Sequence, residues 1–501
     1  MHCGGAAVYS TTESGFGPKW PRSAPPVTEP SHCLEVILFR NFFYALKAEG
    51  LFERPFRISP IPVSLPGIDE DFLARLGHAL VSFYRALDLL YREPASGHEF
   101  VRFYLDRGKP AELLALGLAR RFRQDLPKVL RPDLLLTPDG PVLTEMDSVP
   151  GGPGLLLALS RLYRDAGQGG MIGGSEGILE GFAAMIRCQE PDPVLAIVVS
   201  DESEEYRGEM TLLARGLSKA HFPAVCIHPR ELHFDEEGLF VQTKNGPLRL
   251  NILYRFFELF DLSNIPKAEM MLYFAKGGKV RITPPLKPWL EEKAGMALWH
   301  HPVLRPFWLR EMPDGARELL DRLIPQTWIL DPAPVPFSAS VTPPIPVGDR
   351  FLRDFSGLFG LTQKERRFII KPSGFSPLAW GSRGVVVGHD LPEESWHEAL
   401  QKAFETFDSV PSVLQPFRTT RILPLSGFDF SANHLLEEGY RVRVCPYFFV
   451  MGNDQVRTGG VLATACPKDK KLIHGMVDAI LSPVWAGNDQ GQVAPGEGGQ
   501  G

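Results

Sequence analysis

The residues best equipped for chemistry lie in the run Asp133-Leu-Leu-Leu-Thr-Pro-Asp-Gly-Pro-Val-Leu-Thr-Glu-Met-Asp147. Pro138-Asp139-Gly140 suits a three-residue hairpin loop, a type I turn followed by glycine in the left-handed region. Such a loop pairs Thr137 with Pro141. Counting outward sets Leu135 opposite Leu143 and Asp133 opposite Glu145. Strand side chains alternate, so Glu145 and Asp147 share a face, and Asp133 joins them in this register. Like charges set directly opposite each other destabilise a sheet. A Mg²⁺ ion among the three carboxylates would offset that repulsion and fill its other positions with phosphate oxygens and water. The alternative is a solvated hairpin with incidental acids.

A second candidate is Phe368-Ile-Ile-Lys-Pro372, a strand ending in a lysine. A loop with glycines follows (373–382), then Arg383-Gly384 and an apolar strand. Such a loop can fold over a polyphosphate, with Lys371 at its base as a point charge. A solvated lysine at a strand end is the competing reading. The phosphate loop G-x-x-x-x-G-K-[ST] does not occur, nor does a dinucleotide fingerprint after the first buried strand. Val413-Leu-Gln-Pro-Phe417 reads as a strand whose end offers backbone polar groups to an adenine edge. Arg441, Arg443 and Arg457 lie in or beside the next hairpin. They suit anionic oxygens, or are surface charge. Gly151-Gly152-Pro153-Gly154 leads into a helix, either as an anion-holding helix start or as a tight turn.

The elements that must position these residues alternate. Helical spacing marks 71–92, 110–123, 154–164, 204–220 and 288–300. Residues 194–200 are a continuous apolar run, as in a strand buried on both faces, and 224–228 is another. Strand, helix, strand reads as a βαβ unit, with a third strand at 248–253. Later strands are expected at 368–371, 384–388, 413–417 and 441–451. The Pro-rich stretch 332–347 is a linker or surface loop. The fold class is therefore α/β or α+β, with a small three-layer unit and a second, sheet-rich region. Residues 1–33 and 485–501 read as disordered tails.

The 501 residues are 44% hydrophobic and 22% charged, an ordinary globular balance with room for about three lobes. A net charge of −6 argues against a general nucleic-acid binder. The six cysteines form no C-x-x-C pair, so neither a disulfide framework nor zinc spacing appears. A reducing, cytoplasmic compartment fits. No signal-like segment or membrane-length apolar run is seen.

Taken in order, these pieces resemble the circularly permuted ATP-grasp enzymes, and within them the ligase half of glutathionylspermidine synthase, over residues 125–482. Arg131-Pro-Asp-Leu through Glu145-Met-Asp147 is similar to the family's "R-x-D … dG … E-x-N" metal motif, with Asp147 in place of the usual Asn. The segment 194–262 looks like the Rossmann-like pre-ATP-grasp unit. Residues 282–302 resemble "P-P-x-x … N-K-A-L-L-x-L-L-W … H-P", which aligns Lys293 with the first ATP lysine; Lys371 aligns with the second. Trp380-Gly-Ser-Arg-Gly-Val385 stands where the family has its "G-R-E-G" loop, and Val413–Phe417 resembles the "Q-E" hinge. Arg443-Val-Cys-Pro-Tyr-Phe and Gly459-Gly-Val-Leu resemble "R-P-F-V … G-G-L-T-R".

The chain departs from the family in three places. The glutathione-binding "D-T-P-T-S" is here Ser148-Val-Pro-Gly-Gly-Pro-Gly154, Ala463 replaces the arginine closing "G-G-L-T-R", and helical sequence at 34–130 stands where some relatives carry an amidase half.

The resemblance implies an ATP- and Mg²⁺-dependent ligase joining a small-molecule carboxylate to an amine through an acyl phosphate. Asp133, Glu145 and Asp147 would hold the metal. Lys293, Lys371, Gly381, Gly384 and Gln415 would bind ATP, and Arg131 would steady the acyl phosphate. The implied units are 34–190 (helical region and metal hairpin), 191–265 (pre-ATP-grasp unit) and 266–484 (ATP-grasp lobes). No nucleic-acid or membrane partner is expected, and the oligomeric state stays open. An ATP-grasp kinase, or an inactive nucleotide-binding scaffold, is the alternative.

Overall fold

A computed structural model of the chain describes residues 41, 44–48, 50–51, 56–93, 98–333, 342–430, 434–474 and 478–487. The expected tail at 1–33, most of that at 485–501 and the middle of the Pro-rich stretch (334–341) lie outside the described residues.

The acid-bearing hairpin is the edge of a seven-stranded sheet. The strands run in the order Leu423–Asp429, Arg57–Ile58, Ile480–Pro483, Val456–Pro467, His434–Val450, Val129–Thr137, Gly140–Asp147. Leu423–Asp429 also pairs with His434–Val450, which links five of the strands into a closed ring. The longest strand shows why the sheet is buried on both faces. Its alternate residues Tyr440, Val442 and Val444 enter one core, and Cys445, Tyr447 and Phe449 enter another. The first core packs against the helix Glu70–Arg92, the second against Pro153–Asp165 and Gly177–Gln189.

The expected βαβ unit is present. Leu195–Val199, all buried, is followed by the helix Arg207–Ala220 and the strand Ala224–Ile227, parallel to the first. The parallel order is Arg281–Thr283, Ile252–Phe256, Leu195–Val199, Ala224–Ile227. Its fourth strand, Arg281–Thr283, lies past the expected end of the unit at 265. The single strand expected at 248–253 is two strands. Gly246–Leu250 belongs to an antiparallel three-stranded meander, Ile252–Phe256 to the parallel sheet. Asn251 makes the break: its Oδ1 accepts from the Val194 amide at 2.7 Å and its Nδ2 donates to the Asp192 carbonyl at 2.8 Å.

A third, antiparallel sheet holds Trp328–Ile329, Ser412–Pro416, Phe368–Pro372 and Val386–Val387, backed by the helix Glu393–Glu405 through Trp396. The strand expected at 384–388 is only Val386–Val387. The helix expected over 288–300 is a 3₁₀ turn, Pro288–Leu290, then Ala294–Trp299. It is interrupted because the Lys293 amide donates outward, to the Ser373 carbonyl at 2.8 Å. Likewise 110–123 divides into Ala111–Leu118 and Arg120–Phe122. No helix among the described residues is long and apolar enough to cross a membrane.

The N-terminal helical region is fastened to this framework by buried charge. The Glu70–Arg92 helix begins at Asp69, whose Oδ1 caps the Phe72 amide at 2.7 Å. Near its end, Asp88 accepts from Lys287 Nζ at 2.9 Å, Trp289 Nε1 at 3.0 Å and Arg92 Nε at 3.0 Å. Tyr91 stacks on Trp289, ring centroids 4.0 Å apart. Asp88→Ala would leave the fully buried Lys287 ammonium without its carboxylate. The expected destabilisation is about 3–5 kcal/mol, read from urea denaturation; a loss below about 1 kcal/mol would show the pair to be dispensable.

Candidate active site

The hairpin reaches the expected pairing of its acids by a different route. At the tip Thr137 pairs with Gly140, not Pro141, so Leu135 faces Val142 and Leu134 faces Leu143. The Thr137 hydroxyl closes this tighter turn, accepting from the Asp139 amide and donating to the Gly140 carbonyl at 2.7 Å. A bulge then inserts Thr144 and restores Asp133 opposite Glu145 and Arg131 opposite Asp147.

Four charged side chains thus line one face. Arg131 donates to Asp133 through Nε at 3.0 Å and pairs with Asp147 through Nη2 at 3.0 Å. Arg443, from the neighbouring strand, donates to Asp133 Oδ2 at 2.9 Å, and Cys445 Sγ donates to Oδ1 at 3.4 Å. Burial pushes the Asp133 carboxyl up, but Arg131 and Arg443 outweigh it and hold it below the usual range. Asp147 goes the other way: burial raises it, Arg131 only partly offsets this, and the nearby Glu145 and Asp133 charges add to the rise.

Both candidate lysines arrive at this face. Lys293 Nζ lies 2.7 Å from Glu145 Oε1 and donates to the Ala379 carbonyl at 3.0 Å. Lys371 Nζ donates to the carbonyl of Thr144, the bulge residue, at 3.1 Å. Burial alone would lower the Lys293 pKa, yet Glu145 raises it overall. Lys371 has no such close carboxylate, and burial brings its pKa down to about 8, against Glu145 and with Lys293. The Lys293 and Lys371 amines border a cavity of 90 Å³ between the two sheets, with Leu135, Val142 and Ile369 as apolar wall and Gln415, Pro416 and Phe417 at one end. Gln415 Nε2 donates to Thr327 Oγ1 at 3.0 Å.

A second cavity of 480 Å³ adjoins the first, the two sharing Asp133, Glu145, Ser382 and Arg443. Arg131, Asp147 and Gly381 also line it. Gly384 does not line either cavity; it is packed where a Cβ would come within 2.6 Å of Pro372. Sequence reading passed over several residues of the larger cavity. Arg443 was among its candidates; Cys445 and Tyr447 follow it in strict alternation on one strand, a signal that was available. Trp380 and Arg383, from the 373–383 loop, also line it: Arg383 sits over the Trp380 ring at 4.9 Å and pairs with Glu202 at 2.5 Å, while Trp380 meets Tyr206 edge-on at 5.8 Å.

The glycines after the hairpin resolve as both a tight turn and a helix start. Gly152 has φ +95°, and a Cβ there would lie 2.4 Å from the Tyr447 hydroxyl, which donates to the Gly151 carbonyl at 2.6 Å. The group at the helix start is the chain's own Glu209, whose carboxyl oxygens accept from the amides of Leu155, Gly152 and Gly154.

Among the described residues no three His, Cys, Asp or Glu side chains converge closely enough to hold a metal ion as placed. The hairpin acids are instead paired with Arg131, Arg443 and Lys293. Cys188, Cys226, Cys445 and Cys466 are free thiols.

No protein-family model matches the chain, and no curated protein sequence matches it. Among solved structures, it is similar to a glutathione synthetase-like effector from Globodera pallida in its apo form: TM-score 0.55, 11% identity, 93% of this chain against 100% of that one. A Methylobacillus flagellatus protein named after gamma-glutamylcysteine synthetase aligns at TM-score 0.39 and 11% identity, over 88% of this chain and 92% of that one. The first likeness shows a shared mixed α/β fold; the second carries no argument.

Glu209 offers a test of the local electrostatics. Burial raises its pKa from 4.5 to about 7, despite its amide partners. The folded state therefore keeps a proton that the unfolded chain has already lost. Its contribution to stability is complete below pH 4.5 and lost as pH rises through about 7. Glu209→Gln is expected to flatten the pH dependence of urea stability across that window relative to wild type. Superimposable profiles would refute the assignment.

Proposed function

We propose that the chain is an ATP- and Mg²⁺-dependent carboxylate–amine ligase of circularly permuted ATP-grasp type, forming an amide through an acyl phosphate. One observation carries the reading: two lysines from separate elements converge on the acid-bearing hairpin, one at Glu145 and one at the Thr144 carbonyl. The fold shared with a glutathione synthetase-like protein supports it. So does chain order, with the acid hairpin preceding both lysines. In this reading 34–190 and 266–484 together form the ligase lobes, 191–265 is the pre-ATP-grasp unit, and the compartment is the cytoplasm.

The residues suit their tasks. ATP with Mg²⁺ would supply the phosphoryl group and bridge its charge. Asp133, Glu145 and Asp147 offer an all-oxygen donor set, which fits a hard cation. The raised Asp147 carboxyl supports the reading, because a neighbouring cation would hold that group ionised. Lys293 and Lys371 offset phosphate charge. The slot between Leu135, Val142 and Ile369, ending at Gln415–Phe417, accepts a flat base. Arg131 and Arg443 face the larger cavity, where they hold the carboxylate oxygens and then those of the acyl phosphate. Gly381 lies in the 373–383 loop, which excludes water from that labile species. The size of the adjoining cavity favours a ligase over a kinase, because a third reactant, the amine, needs room beside the phosphoryl acceptor.

The test is ADP release with a panel of carboxylates and amines. Release should require Mg²⁺ and depend on the amine. Asp133→Asn and Glu145→Gln should each lower it by about a hundredfold or more, with unchanged circular dichroism; normal turnover in both would sink the metal assignment. Lys371 adds a pH signature. As its ammonium discharges above about pH 8, affinity for ATP should weaken from pH 7 to pH 9. Lys371→Met should bind more weakly and without that slope, and an identical slope in the variant would remove Lys371 from the site.

A further inference from the structure

The helical region at 34–130 supplies none of the side chains proposed above for ATP, yet one of its lysines is buried beneath them. Lys109 sits in a loop pinned to the chain around Ser409: Gly108 has φ +70°, and a Cβ there would lie 1.8 Å from the Ser409 carbonyl oxygen. The Lys109 ammonium lies 2.5 Å from Glu292 Oε1, with the two side chains 0% and 1% exposed. It also stands over the Phe375 ring at 5.7 Å. The other Glu292 oxygen accepts from the Ser373 hydroxyl.

Ser373 is thereby tied three times to one turn. Its hydroxyl donates to Glu292 and accepts from the Ala294 amide at 2.8 Å, and its carbonyl accepts from the Lys293 amide at 2.8 Å. The next residue, Gly374, passes so close that a Cβ would lie 2.6 Å from the Glu291 carbonyl and 2.9 Å from Glu292 Cδ. Lys293 follows Glu292 directly, and Lys371 lies two residues before Ser373. The relay therefore sits where the two lysine-bearing segments and the base of the 373–384 loop touch.

We infer that Lys109 and Glu292 are positioning residues: through Ser373 they set the spacing of Lys293 and Lys371 and anchor the 373–384 loop. This rests on the ligase reading. A well-packed apolar pair in place of a buried ion pair is often neutral or better for stability. Such a pair could not accept the Ser373 hydroxyl, so stability and positioning are separable here.

The test uses full-length Lys109→Met, Glu292→Gln, Lys109→Met/Glu292→Leu and Ser373→Ala proteins without ligand, the leucine removing the acceptor that glutamine would keep. Amide hydrogen exchange is followed at 373–384, with the strand Leu195–Val199 as internal control for global stability. Exchange at 373–384 should rise at least tenfold in Ser373→Ala and in the double variant, with the control strand unchanged. ATP affinity, probed with a fluorescent ATP analogue and MgCl₂, should fall about tenfold in the same variants. If Lys109→Met or Glu292→Gln does not fold, Ser373→Ala decides. Unchanged exchange at 373–384, or a rise matched by the control strand, overturns the inference. Failure of the wild type to bind the analogue would instead count against the ligase reading, and the exchange result would still decide whether the relay positions the loop.

Discussion

Asp133 lies between two guanidinium groups, one from its own strand and one from the next, and it is almost wholly shielded from water. A carboxylate in that position is tolerable only because both oxygens are met by charge-assisted hydrogen bonds. The rest of the face follows from this arrangement. Arg131 turns its remaining nitrogens to Asp147 and to the Gly151 carbonyl, which joins the hairpin to the turn that starts the next helix. Arg443 places its strand, with Cys445 and Tyr447, along the floor of the larger cavity. The Cys445 thiol is pushed up to about 12, by burial first and Asp133 second, so it serves as a hydrogen-bond donor and not as a nucleophile.

How much of this was legible in the sequence depended on the range of the interaction. Turn residues and period-two alternation place Asp133 opposite Glu145, and that pairing is found. The bulge that produces it is not legible, because it compensates a tip one residue tighter than a Pro-Asp-Gly loop suggests. Yet the bulge frees the Thr144 carbonyl that receives Lys371. Asn251 shows the same limit: the run around it has the composition of one strand, and only contacts with Val194 and Asp192 divide it. Lys109 gave no signal at all. An isolated lysine between a glycine and a proline carries no periodicity, and its partner Glu292 lies in another region of the chain.

The parallel-sheet unit meets the site at a single kind of place, the ends of its strands and the helix that follows. Glu202 pairs with Arg383, Tyr206 meets Trp380, and Glu209 fills the start of the neighbouring helix. Each contact comes from the residues just beyond Leu195–Val199 or the first turn of Arg207–Ala220. That location, outside the carboxyl ends of parallel strands, is where open α/β sheets generally face their ligands. Here the unit presents its strand ends to the 373–383 loop, so the loop spans two bodies: its base is anchored beside Lys293, its tip rests on the parallel sheet.

These pairings also constrain how ligands could enter. Each hairpin carboxylate and Lys293 already has an opposite charge within about hydrogen-bond distance, while Lys371 meets only the Thr144 carbonyl. A polyphosphate alone would draw Lys293 from Glu145 and leave that carboxylate facing Asp147 without a cation. A divalent cation alone would draw Glu145 from Lys293 and leave the ammonium beside Lys371, whose pKa Lys293 already lowers. Entry of both together exchanges each partner for another of the same sign and leaves no group uncompensated. That difference favours joint over separate binding, by less than for a fully buried pair because the Glu145 side chain is partly exposed. The same charges that hold the hairpin together would thus make the proposed site selective for a metal–polyphosphate complex over either component.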